Sequence, residues 1–467
     1  MTTKPGAGSQ PSDALTTSTR QPTGRPRVGV VLAAGRSERL RLVTHGRSKL
    51  LIRLGGVTLV ERAVRSLLAA GLERILVVVG HQSEATARAA REVAPDAVRV
   101  VRAERWEAGN GASLSAAEPA LAGQGSFVLV CGDHVFAPGS LDGLMDAHHA
   151  AVLVDPAPAP EAWGEGTRVR VQGARAVAFG KRLEEPSVDC GAFVLTPEVF
   201  DCQRAASAQG DDSLAGALTA LAMIRPIEVV SLPEDGWWQD IDTPHDLRQA
   251  RRLLRRSLAL PTDGPVSRYL NRPISTRISM ALAPFRPPPN LLSVIALAFG
   301  MAAAFLLALE RPLMGGLLVQ ASSVVDGVDG ESARLQMRAS ARGAWLNGLL
   351  NRMVDAAVVA GLGIWMLSEA LSTRRILLLL GVIGIAWAIL SMAGMNWTTI
   401  LNLPAATERL LGFSLGRRDG RLFLVTAWAL LGHPMVALVA FMMAWIVSVG
   451  VRLVLIRRSL GFEAPTA

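Results

Sequence analysis

Val325-Asp326-Gly327-Val328-Asp329-Gly330-Glu331-Ser332-Ala333-Arg334 decides the reading of this 467-residue chain, together with Gly343-Ala344-Trp345-Leu346-Asn347-Gly348-Leu349-Leu350-Asn351 just beyond it. The stretch lies among long apolar runs, where an ionised carboxylate is costly and marks a functional site by default. Asp326 and Asp329 are three residues apart, and Asn347, Asn351 and Asp355 are four apart, so each set lines one face of a helix. Two such polar faces brought together among apolar helices form a cage for a cation.

Working outward, the uncharged run 291–309 is long enough to cross a bilayer. Run 312–325 enters the acidic stretch, 343–368 leaves from the asparagines, and 376–400 is a further full-length run. Run 422–451, broken by Gly432-His433-Pro434, reads as a hairpin of two helices, which makes six spans in an all-α half. Flanking arginines from Arg268 to Arg458 fall almost entirely on one side of this topology, with only Arg311, Arg374 and Arg375 opposite. That bias predicts a multi-pass cell-membrane protein with the acidic stretch on the cytoplasmic side. Ahead of the spans, Val266, Leu270, Ile274, Ile278 and Leu282 recur every four residues, with Arg268, Arg272 and Arg277 between them. The pattern predicts a helix lying on the membrane surface and kinked at Pro273, although an ordinary interdomain helix would share it.

The N-terminal half has a different texture. Residues 1–26, rich in Ser, Thr, Pro and Gly, read as a disordered tail without a signal-peptide core. Cys131, Cys190 and Cys202 show no CxxC spacing, which argues against a disulfide framework and a zinc site. The net charge of +9 is explained by membrane topology rather than nucleic acid. Strand-like runs at 27–32, 75–79, 98–101 and 127–130 alternate with helical patterns at 59–70, 84–93 and 112–121. This alternation predicts a Rossmann-like, mostly parallel α/β sheet with a nucleotide in the crevice at its carboxyl edge. The expected division is 27–257 for this domain, 258–289 for a linker and juxtamembrane helix, and 290–467 for the membrane domain.

Four segments resemble the nucleotidyltransferases that activate sugar and polyol phosphates: Leu32-Ala33-Ala34-Gly35 with Arg39 and Lys49; Gly109-Asn110-Gly111-Ala112; Cys131-Gly132-Asp133; and Trp238-Gln239-Asp240-Ile241-Asp242-Thr243-Pro244. The usual second glycine of the first loop is Ser37, as in the molybdenum-cofactor branch. The resemblance implies that Leu32, Ala33 and Gly35 cradle the nucleotide, that Arg39 and Lys49 neutralise its phosphates, and that Asn110 and Gly111 face the base. Asn110 and Gly111 are also ordinary helix-start residues. Asp133 with Asp240, Asp242 or both holds Mg²⁺ or Mn²⁺, while Asp242-Thr243-Pro244 also reads as a helix cap. Thr167 to Val171, Ala178 to Lys181 and Val188 to Phe193 look like segments of the inositol-1-phosphate cytidylyltransferases, where Lys181 meets the acceptor phosphate and Asp189 a polyol hydroxyl.

The opening stretch resembles the signature of the CDP-alcohol phosphotransferases, Asp-x-x-Asp-Gly-x-x-Ala-Arg, then Gly-x-x-x-Asp-x-x-x-Asp, with two departures. Both later aspartates are Asn347 and Asn351, which carry no charge and accept no proton. The resemblance implies metal binding by Asp326, Asp329 and position 347, and nucleotide binding by Gly330, Ala333, Arg334 and Gly343. Position 351 is that of the general base. The two changes are isosteric and leave three readings open: an inactivated variant, a retained anchor or binding module, or partial substitution by Asp355.

As a whole the chain resembles the bifunctional inositol-1-phosphate cytidylyltransferase and di-myo-inositol-phosphate-phosphate synthase family. That implies CTP and inositol-1-phosphate as substrates, CDP-inositol as the shared intermediate, Mg²⁺ or Mn²⁺ at both sites, and a homodimer formed through the membrane half. Arg417, Arg418 and Arg421 then grip the acceptor phosphate or act only as positive-inside anchors. A phospholipid-synthesising membrane half, or one that serves only as an anchor, are the competing readings.

Overall fold

The computed structural model describes residues 25–35, 37–147, 149–369, 381 and 417–459. Most of the expected tail and all of the run 376–400 except residue 381, with Arg374, Arg375 and Arg409, lie outside the described residues.

The N-terminal half is built on one nine-stranded sheet. Its strands are β1 (Val28–Ala33), β2 (Arg74–Val79), β3 (Val98–Arg102), β4 (Phe127–Cys131), β5 (Ala151–Asp155), β6 (Arg168–Gln172), β7 (Arg175–Gly180), β8 (Val188–Leu195) and β9 (Ile227–Ser231), in spatial order β3-β2-β1-β4-β8-β5-β9-β7-β6. Every residue of β1 is buried, as expected of a central strand covered on both faces. The parallel pattern holds for β3, β2, β1 and β4. Beyond β4 the sheet is mixed, because β8 runs antiparallel to both β4 and β5. Gly173, at φ +63°, turns β6 directly into β7, so this pair needs no helical crossover. The helix expected at 112–121 is two short ones, Asn110–Ser115 and Glu118–Leu121, with Pro119 in the first turn of the second.

Helix α1 (Leu59–Ala69) starts from a capping box in which Thr58 and Glu61 satisfy each other's backbone N–H groups. Helix α2 (Pro244–Arg256) starts the same way, from Thr243 and Asp246.

Further along the chain come α3 (Arg272–Leu282), α4 (Pro289–Ala308), α5 (Pro312–Leu335), α6 (Ala341–Glu369), α7 (Arg418–Leu430) and α8 (Pro434–Ser459). Two segments among the described residues, Pro289–Ala308 and Ala341–Ser368, are long and apolar enough to cross a membrane. Pro273 lies in the first turn of α3, after a π-helical turn at Ser267–Asn271, rather than at a mid-helix kink. A proline there costs little, because first-turn N–H groups have no partner inside the helix. The two faces of this segment are opposed: Tyr269 and Leu270 of the π-helical turn and Ile274 and Ile278 of α3 are exposed, while Ser275 and Ser279 turn inward and donate to the fully buried Glu331 of α5. Arg272 completes that cluster, with Nη1 2.7 Å from Glu331 Oε1.

The C-terminus of α5 ends against the sheet domain. Arg62 of α1, itself buried, donates to Leu54 O at 2.7 Å and to Leu335 O at 3.0 Å, and Arg65 donates to Gln336 O at 3.3 Å. Helix-end carbonyls lack partners within their own helix and carry negative partial charge, so guanidinium groups suit them. Leu335 and Ala283 share one buried cluster with Leu54, Leu254 and Leu258. Gly56, at φ +83°, lies so close that a Cβ on it would come 2.3 Å from Ala283 O. The helix carrying Asp326 is therefore docked directly onto the α/β half.

Candidate active sites

At the carboxyl edge of β1 and β4 a cavity of about 1120 Å³ is lined by Asn110, Asp133, Lys181, Asp189, Asp240 and Asp242, among others. A smaller recess beside it is lined by Leu32, Ala34, Gly35, Lys49, Asn110 and Asp133. Ser37, in the left-handed region at φ 64°, accepts the Lys49 backbone N–H at 2.8 Å and so ties the loop after β1 to the turn that carries Lys49. Lys49 is buried, with Nζ 2.7 Å from Asp133 Oδ2 and in contact with Asp242 Oδ1. Arg39 reaches Asp242 Oδ2 at 3.1 Å and Glu165 Oε2 at 2.6 Å.

Asp240 is delivered by a short ladder in which Trp238–Asp240 runs antiparallel to His134–Phe136, which sets Asp240 opposite His134. Ligand oxygens of Asp133, Asp240 and Asp242 lie within 4.8 Å of one another. Asp240 Oδ1 is cut off from solvent and has no hydrogen-bond partner. Three converging carboxylates with an orphaned oxygen fit a hard divalent cation such as Mg²⁺. The helix-cap alternative for Asp242 falls away: Thr243 Oγ1 accepts the Asp246 N–H at 3.3 Å, and Asp246 caps back, leaving the Asp242 carboxylate to Lys49 and Arg39.

Electrostatics follow from this crowding. Burial opposes the charge on Lys49, but Asp133 and Asp242 outweigh it and hold the ammonium well above its ordinary pKa. Burial likewise works against an ionised Asp133, yet Lys49 and His134 keep its carboxyl below the usual range. Burial, with Asp133 and Asp242 nearby, pushes Asp240 up. Asp189 is raised to about 6, chiefly by burial.

Gly111 gives its N–H to Asp212 O at 3.0 Å, and a Cβ there would lie 2.1 Å from Gln203 Oε1, so close packing alone requires a glycine at this position. Ala33 is buried in the core beneath the sheet rather than lining the recess. His134 was not singled out by the sequence. Its ring stacks on Trp238 at 5.5 Å and 10°, its Nδ1 lies 2.9 Å from Asp133 Oδ1, and burial is overcome by Asp240 and Asp133 to raise its pKa to about 9. Gly191, at φ +70°, makes room for it, since a Cβ there would come 2.6 Å from the ring. The only local signal was the Asp133-His134 pair at the end of a strand.

The second site lies where α5, α6 and α7 converge. Arg418 Nη1 is 3.1 Å from Asp326 Oδ2, and its Nε is 3.0 Å from Asp355 Oδ1. Arg421 Nη2 is 3.1 Å from Asp355 Oδ2. Ser293 of α4 donates to Asp329, and Arg334 donates to Leu258 O at 3.1 Å. Gly330 lies beside Arg334, and the Gly343 N–H goes to Ser340 Oγ at 3.1 Å. Arg418 and Arg421, expected to grip an acceptor phosphate or to serve as plain anchors, are engaged with carboxylates. Asp355 is committed to the same pairs rather than open to substitute for Asn351. Arg417 is the N-terminal cap position of α7.

Residues 29–187 match the family model for a MobA-like NTP transferase domain. The chain is 38% identical over 425 residues, 90% of its length and 94% of the relative's, to a bifunctional IPC transferase and DIPP synthase of Rubrobacter xylanophilus. A protein of the same name from Thermococcus kodakarensis is 31% identical over 87% of this chain and 90% of its own. Among solved structures, the inositol-1-phosphate CTP transferase of T. maritima matches 51% of this chain and all of its own, at 27% identity and a TM-score of 0.45. Transfer of a nucleotidyl group is the chemistry for which the Lys49 pocket is arranged, and the chain belongs to the family of bifunctional IPC transferases and DIPP synthases.

Proposed function

We propose that the α/β half converts CTP and inositol-1-phosphate to CDP-inositol and pyrophosphate. The observation that supports this most directly is the placement of Lys49 and three carboxylates at one end of a cavity whose wall also carries Lys181 and Asp189. An oxygen of the substrate phosphate attacks the α-phosphorus, a P–O bond forms there, and the bond to the β-phosphate breaks with pyrophosphate as leaving group. Lys49 and Arg39 offset charge on the triphosphate, and Asn110 offers donor and acceptor atoms to the base. Lys181 meets the incoming phosphate and Asp189 accepts from a polyol hydroxyl. Asp133, Asp240 and Asp242 would hold Mg²⁺, which supplies further charge neutralisation at the α-phosphate.

The helical half, in the same reading, is a multi-pass membrane domain with both sites on the cytoplasmic side and forms a homodimer. Its ancestral reaction moves inositol phosphate from CDP-inositol to a second inositol-1-phosphate and releases CMP, and Asn347 and Asn351 impair it. The apolar outer face of α3 supports a lipid-facing setting. Membranes carrying the chain, incubated with labelled CTP and inositol-1-phosphate, are expected to accumulate CDP-inositol with little phosphorylated di-myo-inositol phosphate. Consumption of another polyol phosphate alone would remove the inositol assignment, and a labelled lipid product would favour a phospholipid synthase. Asn347→Asp with Asn351→Asp is expected to raise CMP release.

A further inference from the structure

The helical half does not fit a pair of divalent cations. Among the described residues, the acidic, His and Cys side chains able to converge on one ion are Cys131, Asp133 and His134, or Asp133, Asp240 and Asp242, all in the α/β half. Along α6 the positions that could add negative charge, Asn347 and Asn351, are neutral amides. Asp326 and Asp355 face each other across Arg418, which bonds both, while Asp329 accepts from Ser293 and Asp419 from Ser323. An ion placed there would have to displace a guanidinium whose side chain is only 16% exposed and then bear its repulsion.

The unsatisfied atoms of this cluster describe what it lacks. Arg418 Nη2 and Asp326 Oδ1 are each cut off from solvent without a hydrogen-bond partner among the described residues. Such atoms are rare in a folded protein and point to a missing ligand. The orphaned guanidinium nitrogen calls for an anionic acceptor, such as a phosphate oxygen. The orphaned Asp326 oxygen calls for a donor, such as a sugar hydroxyl or a base amino group. One ligand class offers both, a nucleotide with an extended phosphate.

We propose that Arg418 replaces a metal ion in the helical half, so that this site binds a nucleoside diphosphate through guanidinium and amide groups with no divalent cation. The inference concerns α5 to α7 and stands whichever phosphate the α/β half activates.

The test uses the full chain in detergent, with the other site's ligands removed by Asp133→Asn, Asp240→Asn and Asp242→Asn. Labelled CDP is the probe, in excess EDTA or in Mn²⁺, and bound Mn²⁺ is counted by electron paramagnetic resonance. The expected result is CDP binding of equal affinity in EDTA and Mn²⁺, no retained Mn²⁺, and at least about a tenfold loss of affinity on adding Arg418→Gln. Arg418→Lys, which keeps the charge and loses the fork, is expected to fall between. CDP binding that needs Mn²⁺, no CDP binding in either condition, or indifference to Arg418→Gln would overturn the proposal. Should the triple variant not fold, the EDTA-resistant CDP binding of the unmodified chain, compared with Arg418→Gln alone, gives the same decision. Failure of the inositol assignment is read separately, from CDP-inositol formation by the unmodified chain.

Discussion

In the α/β half Lys49 lies between Asp133 and Asp242, and Asp240 is left over; in the helical half Arg418 lies between Asp326 and Asp355, and the neighbouring positions are amides. Both sites place a buried cation between two carboxylates. The first opens on a large cavity and leaves an Asp240 oxygen without a partner among the described residues, whereas in the second Arg418 itself spans two carboxylates while Ser293 and Ser323 donate to Asp329 and Asp419. What separates the pocket able to recruit a metal is the convergence of three carboxylates on one point, not the presence of acids. Buried ion pairs contribute little net stability, so a cation between carboxylates is better read as a device that fixes charge in place.

The contrast can be broken most severely at Lys49. Lys49→Ala is expected to lower kcat/KM for nucleotidyl transfer about 10³-fold, measured as pyrophosphate release, while leaving CDP binding by the helical half unchanged. Next comes the junction. Arg62→Ala leaves the Leu54 and Leu335 carbonyls without their donor and is expected to cost about 3 kcal/mol, seen as a lower denaturation midpoint for both halves together. A moderate effect is expected from acid. Asp189, raised to about 6, gains a proton as pH falls from 7 to 5 and ceases to accept from a polyol hydroxyl, so KM for the polyol phosphate should rise severalfold. Because its folded pKa lies above the ordinary value, the same protonation favours the folded state, so the rise in KM is not incipient unfolding. Asp189→Asn should flatten that profile. The smallest effect is expected at the α2 cap, where Thr243→Ala should cost about 1 kcal/mol in the α/β half and nothing at the helical site.

Much of the first site was legible because its parts are local: a strand, a loop and one charged residue at each strand end. Lys49, Asp133 and Asp240 needed only motif spacing and the alternation of an extended segment. His134 was missed because what makes it notable, Trp238 and Gly191, arrives from distant strands. The packing of Gly111 against Gln203 was not legible either, because a motif does not show which distant side chain a glycine meets. At the second site the composition of the opening stretch was readable but its wiring was not. Arg418 and Asp355 are 63 residues apart in sequence, and an arginine beside an apolar run has a sufficient explanation in membrane topology. The mixed half of the sheet escaped for a similar reason, since the direction of β8 depends on a return path rather than on its own residues.

The arginines at the end of α5 bear on how this chain can be taken apart. Leu335 completes the hydrophobic core of the α/β half, and Arg62 and Arg65 complete the hydrogen bonding of the helix that carries Asp326. Each half supplies what the other needs in order to be finished. Separating the two halves would therefore leave the bare Leu335 side chain and the open Leu335 and Gln336 carbonyls on the helical piece, and the unpartnered Arg62 and Arg65 guanidinium groups on the other, so the junction is a packed interface rather than a bare tether.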